Sequence, residues 1–100
     1  MNIKTKTFNI LDELKTERDI DGFIRASIED AKDDSDPAIL TYCLGIAAQA
    51  RGMLHIAERA KVNRSGLYRS FNKNGDPKIS TFDKVARALG YRLTLEPLAK

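Results

Sequence analysis

The chain has no tryptophan, one histidine (His55), one cysteine (Cys43) and three prolines among its 100 residues. A lone cysteine cannot close an internal disulfide, so the fold must rest on packing, and the composition suits the reducing cytoplasm. His55 has no cysteine near it in sequence, which argues against a zinc site; no metal and no other cofactor is expected. No apolar run approaches the ~20 residues needed to cross a bilayer. The opening Met-Asn-Ile-Lys-Thr-Lys-Thr lacks the apolar stretch of a secretory signal. No glycine-rich loop is spaced to cradle a phosphate, and Asn74-Gly75 reads as a turn. The carboxylates of the first third have no histidine or metal to activate. Cys43 falls on the apolar face of a helix and reads as a core residue rather than a nucleophile. No catalytic residue is expected, and the chain reads as a non-enzyme.

What is present is charge, unevenly shared. The net charge is +3, yet residues 1–36 carry six Lys or Arg against ten Asp or Glu, while residues 37–100 carry eleven against four. A basic section offers an electrostatic footprint for nucleic acid, and an acidic one repels it. The change falls at Asp33-Asp34-Ser35-Asp36-Pro37. Two sections are therefore expected: an acidic helical extension over 1–36 and a domain over 37–100, with apolar content (42%) sufficient for one modest core.

Helical spacing dominates. Asn9-Ile10-Leu11-Asp12 looks like a cap opening a short helix, and Thr16-Glu17-Arg18-Asp19 opens a longer one with Ile20, Phe23, Ile24, Ile28 and Ala31 on its apolar side. Gly22 weakens that helix by roughly 1 kcal/mol relative to alanine. Asp36-Pro37 reads as the next start, with Ile39, Leu40, Cys43, Leu44 and Ala47 on one face to about Ala50. Ser80 is expected to cap a last helix from Thr81 to Leu89, striped by Phe82, Val85, Ala86 and Leu89, and Gly90 to stop it. Tyr91 to Glu96 alternates with period two, predicting a short strand. Its partner would be residues 4–8 or a second copy of the chain, which makes Tyr91, Leu93 and Leu95 candidates for a dimer interface.

Between these lies the most informative stretch, Met53 to Phe71. A helical face at Met53, Ile56, Ala57 and Ala60 is broken by Lys61-Val62-Asn63. Asn63 is then a good cap for a second helix whose Leu67 and Phe71 lie one turn apart. The other side is left with Asn63, Arg64, Ser65, Tyr68 and Arg69, residue types that reach base edges and phosphates from a recognition helix in the major groove. Lys61, Lys73 and Lys78 surround it and complete the candidate DNA-binding set.

The order of motifs resembles the small helix-turn-helix antitoxins of bacterial toxin–antitoxin modules, above all the probable addiction-module antidote proteins akin to HigA-type antitoxins. The matching pieces are Phe8 to Leu14, Ala47 to Met53, Arg64 to Arg69, Asn74 to Lys78, and Thr81 to Leu93, so the resemblance spans nearly the whole chain. It implies an all-α, lambda-repressor-like bundle of about five to six helices with the short C-terminal strand. It also implies a cytoplasmic homodimer that neutralises a RelE/ParE-like toxin and represses its own operon by binding double-stranded operator DNA. Because such toxins are basic, Phe8, Leu11, Leu14, Ile20, Phe23 and Ile24 of the acidic section are the candidate toxin-binding residues. The chain departs from the repressor pattern at Lys61, where glycine is usual in the turn, and at Ser70, where a buried aliphatic is usual. The rival readings are a stand-alone repressor of phage or mobile-element type, and a protein-interaction adaptor without DNA binding.

Overall fold

The helix Ala38–Arg51, called α2, carries apolar or small residues almost all the way round, and such a helix is stable only inside other elements. A computed structural model, which describes residues 9–32 and 36–99, puts it at the centre. A short 3-10 helix, Ile10–Glu13, and α1 (Glu17–Lys32) pack on one side of it; α3 (Met53–Ala60) and α5 (Ile79–Ala88) pack on another; α4 (Arg64–Ser70) leans on α3. Five α-helices, the one 3-10 helix and no strand make up the regular structure of the described residues. The core gathers Leu14, Ile20 and Ile24 from the N-terminal section, Leu44 and Ala47 from α2, Ile56 from α3, Leu67 and Phe71 from α4, and Val85 from α5. Phe71 and Phe82 stack at a tilt, ring centroids 6.0 Å apart.

Local chemistry explains the helix ends. Thr16 and Asp19 form a reciprocal box: the Thr16 hydroxyl accepts from the Asp19 N–H (3.0 Å), and the Asp19 carboxylate accepts from the Thr16 N–H (3.0 Å). The Thr16 N–H, and after it the Lys15 N–H that also donates to this carboxylate (3.1 Å), are the main reason the Asp19 carboxyl sits below the usual range. Asp36 does accept from a first-turn amide, that of Ala38 at 3.0 Å, although Pro37 is the residue at the helix boundary. Helix α5 ends in a Schellman closure. There the Tyr91 N–H donates to the Ala86 carbonyl and the Gly90 N–H to that of Arg87, with Gly90 at φ 96°.

Several expectations are corrected. Ser80 is not the cap of α5: the helix begins at Ile79, after Lys78 in extended backbone, and has no side-chain cap. Ile39 is exposed rather than on the buried face of α2, and Cys43 is half-buried. A one-sided stripe misreads α2 because the helix is covered from several directions. The strand expected over 91–96 is not formed; residues 91–99 have no regular secondary structure. A strand exists only through its ladder, and the described residues of a single copy give this segment no neighbour to pair with. Residues 4–8, the other suggested partner, lie outside the described residues, as does the acidic boundary 33–35.

Candidate nucleic-acid interface

Helices α3 and α4 are joined by the turn Lys61–Asn63. The Val62 N–H donates to the Ala57 carbonyl and the Lys61 N–H to that of Glu58, closing α3 in a second Schellman arrangement. That arrangement needs a left-handed residue, and Lys61 supplies it at φ 58°, ψ 47°. Among the described residues Lys61 is the one non-glycine with positive φ. A side chain there costs roughly 1–2 kcal/mol that glycine would avoid. The turn thus has the geometry that glycine favours, with a cation in glycine's place.

Asn63 starts α4. Its side-chain oxygen accepts from the Gly66 N–H at 3.1 Å and from the Ser65 hydroxyl. Leu67 and Phe71 are buried, as expected, which holds the helix by one face. Ser70 gives its hydroxyl to the Gly66 carbonyl at 2.8 Å, so its position inside the helix leaves no unsatisfied polar group. Gly75 explains why no large residue follows: a Cβ there would stand 2.0 Å from the Ser70 carbonyl oxygen. Asn72 closes the far end by donating to the Tyr68 and Arg69 carbonyls.

All eight candidate DNA-binding residues, Lys61, Asn63, Arg64, Ser65, Tyr68, Arg69, Lys73 and Lys78, are exposed. Asn63 and Lys78 line one depression of roughly 350 Å³ with Gly66 and Thr81. Lys73 is set apart, beside Ile39 and Tyr42 at the start of α2. None of Lys61, Arg64, Arg69, Lys73 and Lys78 is held in an ion pair among the described residues. Sequence reading passed over Arg59, Lys84 and Arg87, which line a cleft with Lys61; the one-turn spacing of Lys84 and Arg87 was the available signal. No group of His, Cys, Asp or Glu among the described residues is arranged to hold a metal ion, and no described helix is long and apolar enough to cross a membrane.

The candidate toxin-binding residues fare differently. Leu14, Ile20 and Ile24 are core residues, Leu11 and Phe23 are half-buried against that core, and Phe8 is outside the described residues. The apolar stripe of α1 is therefore used by the chain itself, covering α2. Ion pairs add a second tie: Glu17 meets Arg51 at 2.8 Å, joining the start of α1 to the end of α2. Of the candidate dimer residues, Tyr91 is half-buried and its hydroxyl donates to Asp21 on α1, while Leu93 and Leu95 are exposed. Tyr91 and Arg25 together hold the Asp21 carboxyl below its usual range, Tyr91 contributing most. Burial, then the Asp21 carboxylate, pushes the Tyr91 phenol up.

Comparison with known proteins places the chain in a family. Residues 4–97 match the family described as "Probable addiction module antidote protein". An uncharacterized protein of Haemophilus influenzae is 31% identical over 96 residues, which cover 96% of this chain and 95% of that protein. No solved structure matches the chain. With nearly its whole length aligned to that family, the chain belongs to the probable addiction module antidote proteins.

Proposed function

We propose that this protein is the antitoxin of a type II toxin–antitoxin module, related to HigA-type antitoxins. It neutralises a RelE/ParE-like toxin in the cytoplasm and, as a homodimer, represses its own operon. In this reading α3 and α4 are a lambda-repressor-like helix-turn-helix, and α4 enters the major groove of operator DNA. The observation that carries it is the two-sidedness of α4: Leu67 and Phe71 are locked into the core while Arg64, Ser65, Tyr68 and Arg69 stand exposed and without ion-pair partners. The segment 91–96 would become a strand by pairing with its copy, using the exposed Leu93 and Leu95. Toxin contact falls to the 1–36 section through what the core leaves open, Leu11 and Phe23 with the acidic side chains around them.

The test is the affinity of the purified protein for DNA from its own promoter. The Arg64→Ala, Arg69→Ala double variant should lose roughly 1–3 kcal/mol for each of these residues that reads a base. Unchanged affinity with intact circular dichroism refutes the role of α4. Co-expression with the adjacent gene tests the antitoxin half: removal of residues 1–36 should abolish rescue of growth.

A further inference from the structure

Helices α3 and α5 lie side by side, and an open cleft of roughly 320 Å³ separates the C-terminal end of α3 from the second half of α5. Four cations line it, Arg59, Lys61, Lys84 and Arg87, over the buried Ala60 and Ala88. Arg87 shares its charge with Asp83 at 2.8 Å. Arg59, Lys61 and Lys84 are exposed and have no ion-pair partner among the described residues. Two of the four, Arg59 and Arg87, sit in last helical turns, where a cation complements the helix dipole. That accounts for neither Lys84, inside α5, nor Lys61, a lysine kept in left-handed backbone where glycine would be relaxed. Like charges gathered around one cleft repel until an anion joins them. Lys61 also belongs to the turn that leads directly into α4, so the cleft continues the basic surface of the candidate interface.

We propose that this cleft is a second nucleic-acid contact, in which Arg59, Lys61, Lys84 and Arg87 hold phosphodiester oxygens of the duplex beside the segment that α4 reads. The inference rests on the DNA-binding reading above. It adds a sequence-independent grip to a short recognition helix, since phosphate contacts fix register and affinity but carry no base information.

The test is the salt dependence of binding by the full chain to two fluorescein-labelled duplexes. One is the chain's own upstream region, and the other a scrambled duplex of equal length. Neutralising two phosphates fewer lowers the slope of log affinity against log salt by about 1.8, at about 0.9 per contact. The Arg59→Gln, Lys84→Gln variant should show that drop on both duplexes, while Arg59→Lys, Lys84→Arg should keep the wild-type slope. Both residues are exposed, and circular dichroism checks the fold. A wild-type slope in the glutamine variant, with wild-type binding itself intact, overturns the cleft and leaves the role of α4 standing. The same unchanged slope with an altered oligomeric state would overturn it in favour of a contact with a second copy of this chain. Failure of the wild-type chain to bind either duplex overturns both readings together.

Discussion

Two glycines inside neighbouring helices should answer the same substitution with opposite signs. Gly45 lies in the middle of α2, where the helix passes the end of α4. A Cβ added there would stand 2.0 Å from the Phe71 carbonyl oxygen and 3.0 Å from the Phe71 Cβ, whereas ordinary contact begins at 3.4 Å. Phe71 cannot easily give way. Its N–H is bonded to the Leu67 carbonyl at 2.9 Å, and the residue is 3% exposed, its ring against that of Phe82. Alanine gains about 1 kcal/mol over glycine in helix propensity, but overpacking of this kind costs typically 1–3 kcal/mol and more when backbone must move. Because the clash is with backbone, the upper end applies, and Gly45→Ala should lose about 2 kcal/mol net after the propensity gain. Gly22, in α1, has nothing within 4 Å of an added Cβ. Gly22→Ala should gain about 0.5–1 kcal/mol, partly by narrowing the unfolded ensemble. Urea titrations with matched slopes would read the difference directly. In melting temperature each kcal/mol is about 4–8 °C for a domain of this size. If Gly45→Ala were as stable as Gly22→Ala, the close approach of α2 to the end of α4 would be wrong, and with it the seating of the candidate recognition helix.

Lys61→Gly should stabilise the fold by up to about 1 kcal/mol, the left-handed strain relieved less glycine's own entropy, while weakening DNA binding through the lost cation; a loss of stability would contradict the turn geometry. Asn63→Ala should cost about 1 kcal/mol of stability, whereas Asn63→Gly should cost only a few tenths; equal losses in both would mean that the cap contributes nothing. Asp19, Asp21 and Asp83 all titrate below their ordinary 3.8 in the folded chain, so their stabilising effect is complete above that value and is lost as pH falls through the lowered values. Asp21→Asn should therefore flatten the acid limb of a stability–pH curve. Tyr91, raised above 10.0, works the other way: its contribution is present below that value and lost as pH rises through the raised one, and Tyr91→Phe should remove that alkaline limb.

Legibility followed locality. The caps at Thr16 and Asn63, the stop at Gly90 and the anchors Leu67 and Phe71 were readable because each is settled within one or two helical turns. The exposed set on α4 followed from the same spacing. What was not readable depended on partners distant in sequence. The stripe Leu14, Ile20, Ile24 looked like a face offered to another protein because its actual cover, α2, lies beyond the acidic boundary. Helix α2 was misjudged for the converse reason: its stripe, drawn through Ile39, ignored cover from several sides. The strand at 91–96 was expected from alternation, yet alternation says nothing about whether a neighbouring strand is at hand. The cleft of Arg59, Lys61, Lys84 and Arg87 joins two helices that are separated by all of α4 and its loop.

If α4 is the recognition helix proposed above, its cap at Asn63 limits what it can say to a base. An asparagine recognises adenine by offering donor and acceptor at once, one to each atom of the base edge. Here the acceptor end is already spoken for by the Gly66 N–H and the Ser65 hydroxyl, so only the amide hydrogens remain to face outward. Arg64 and Arg69 offer donors alone. The start of the helix therefore speaks mostly in donors, a vocabulary matched to the N7 and O6 of guanine and to phosphate oxygens. An adenine that demanded the oxygen of Asn63 would have to loosen the first turn of the helix that reads it.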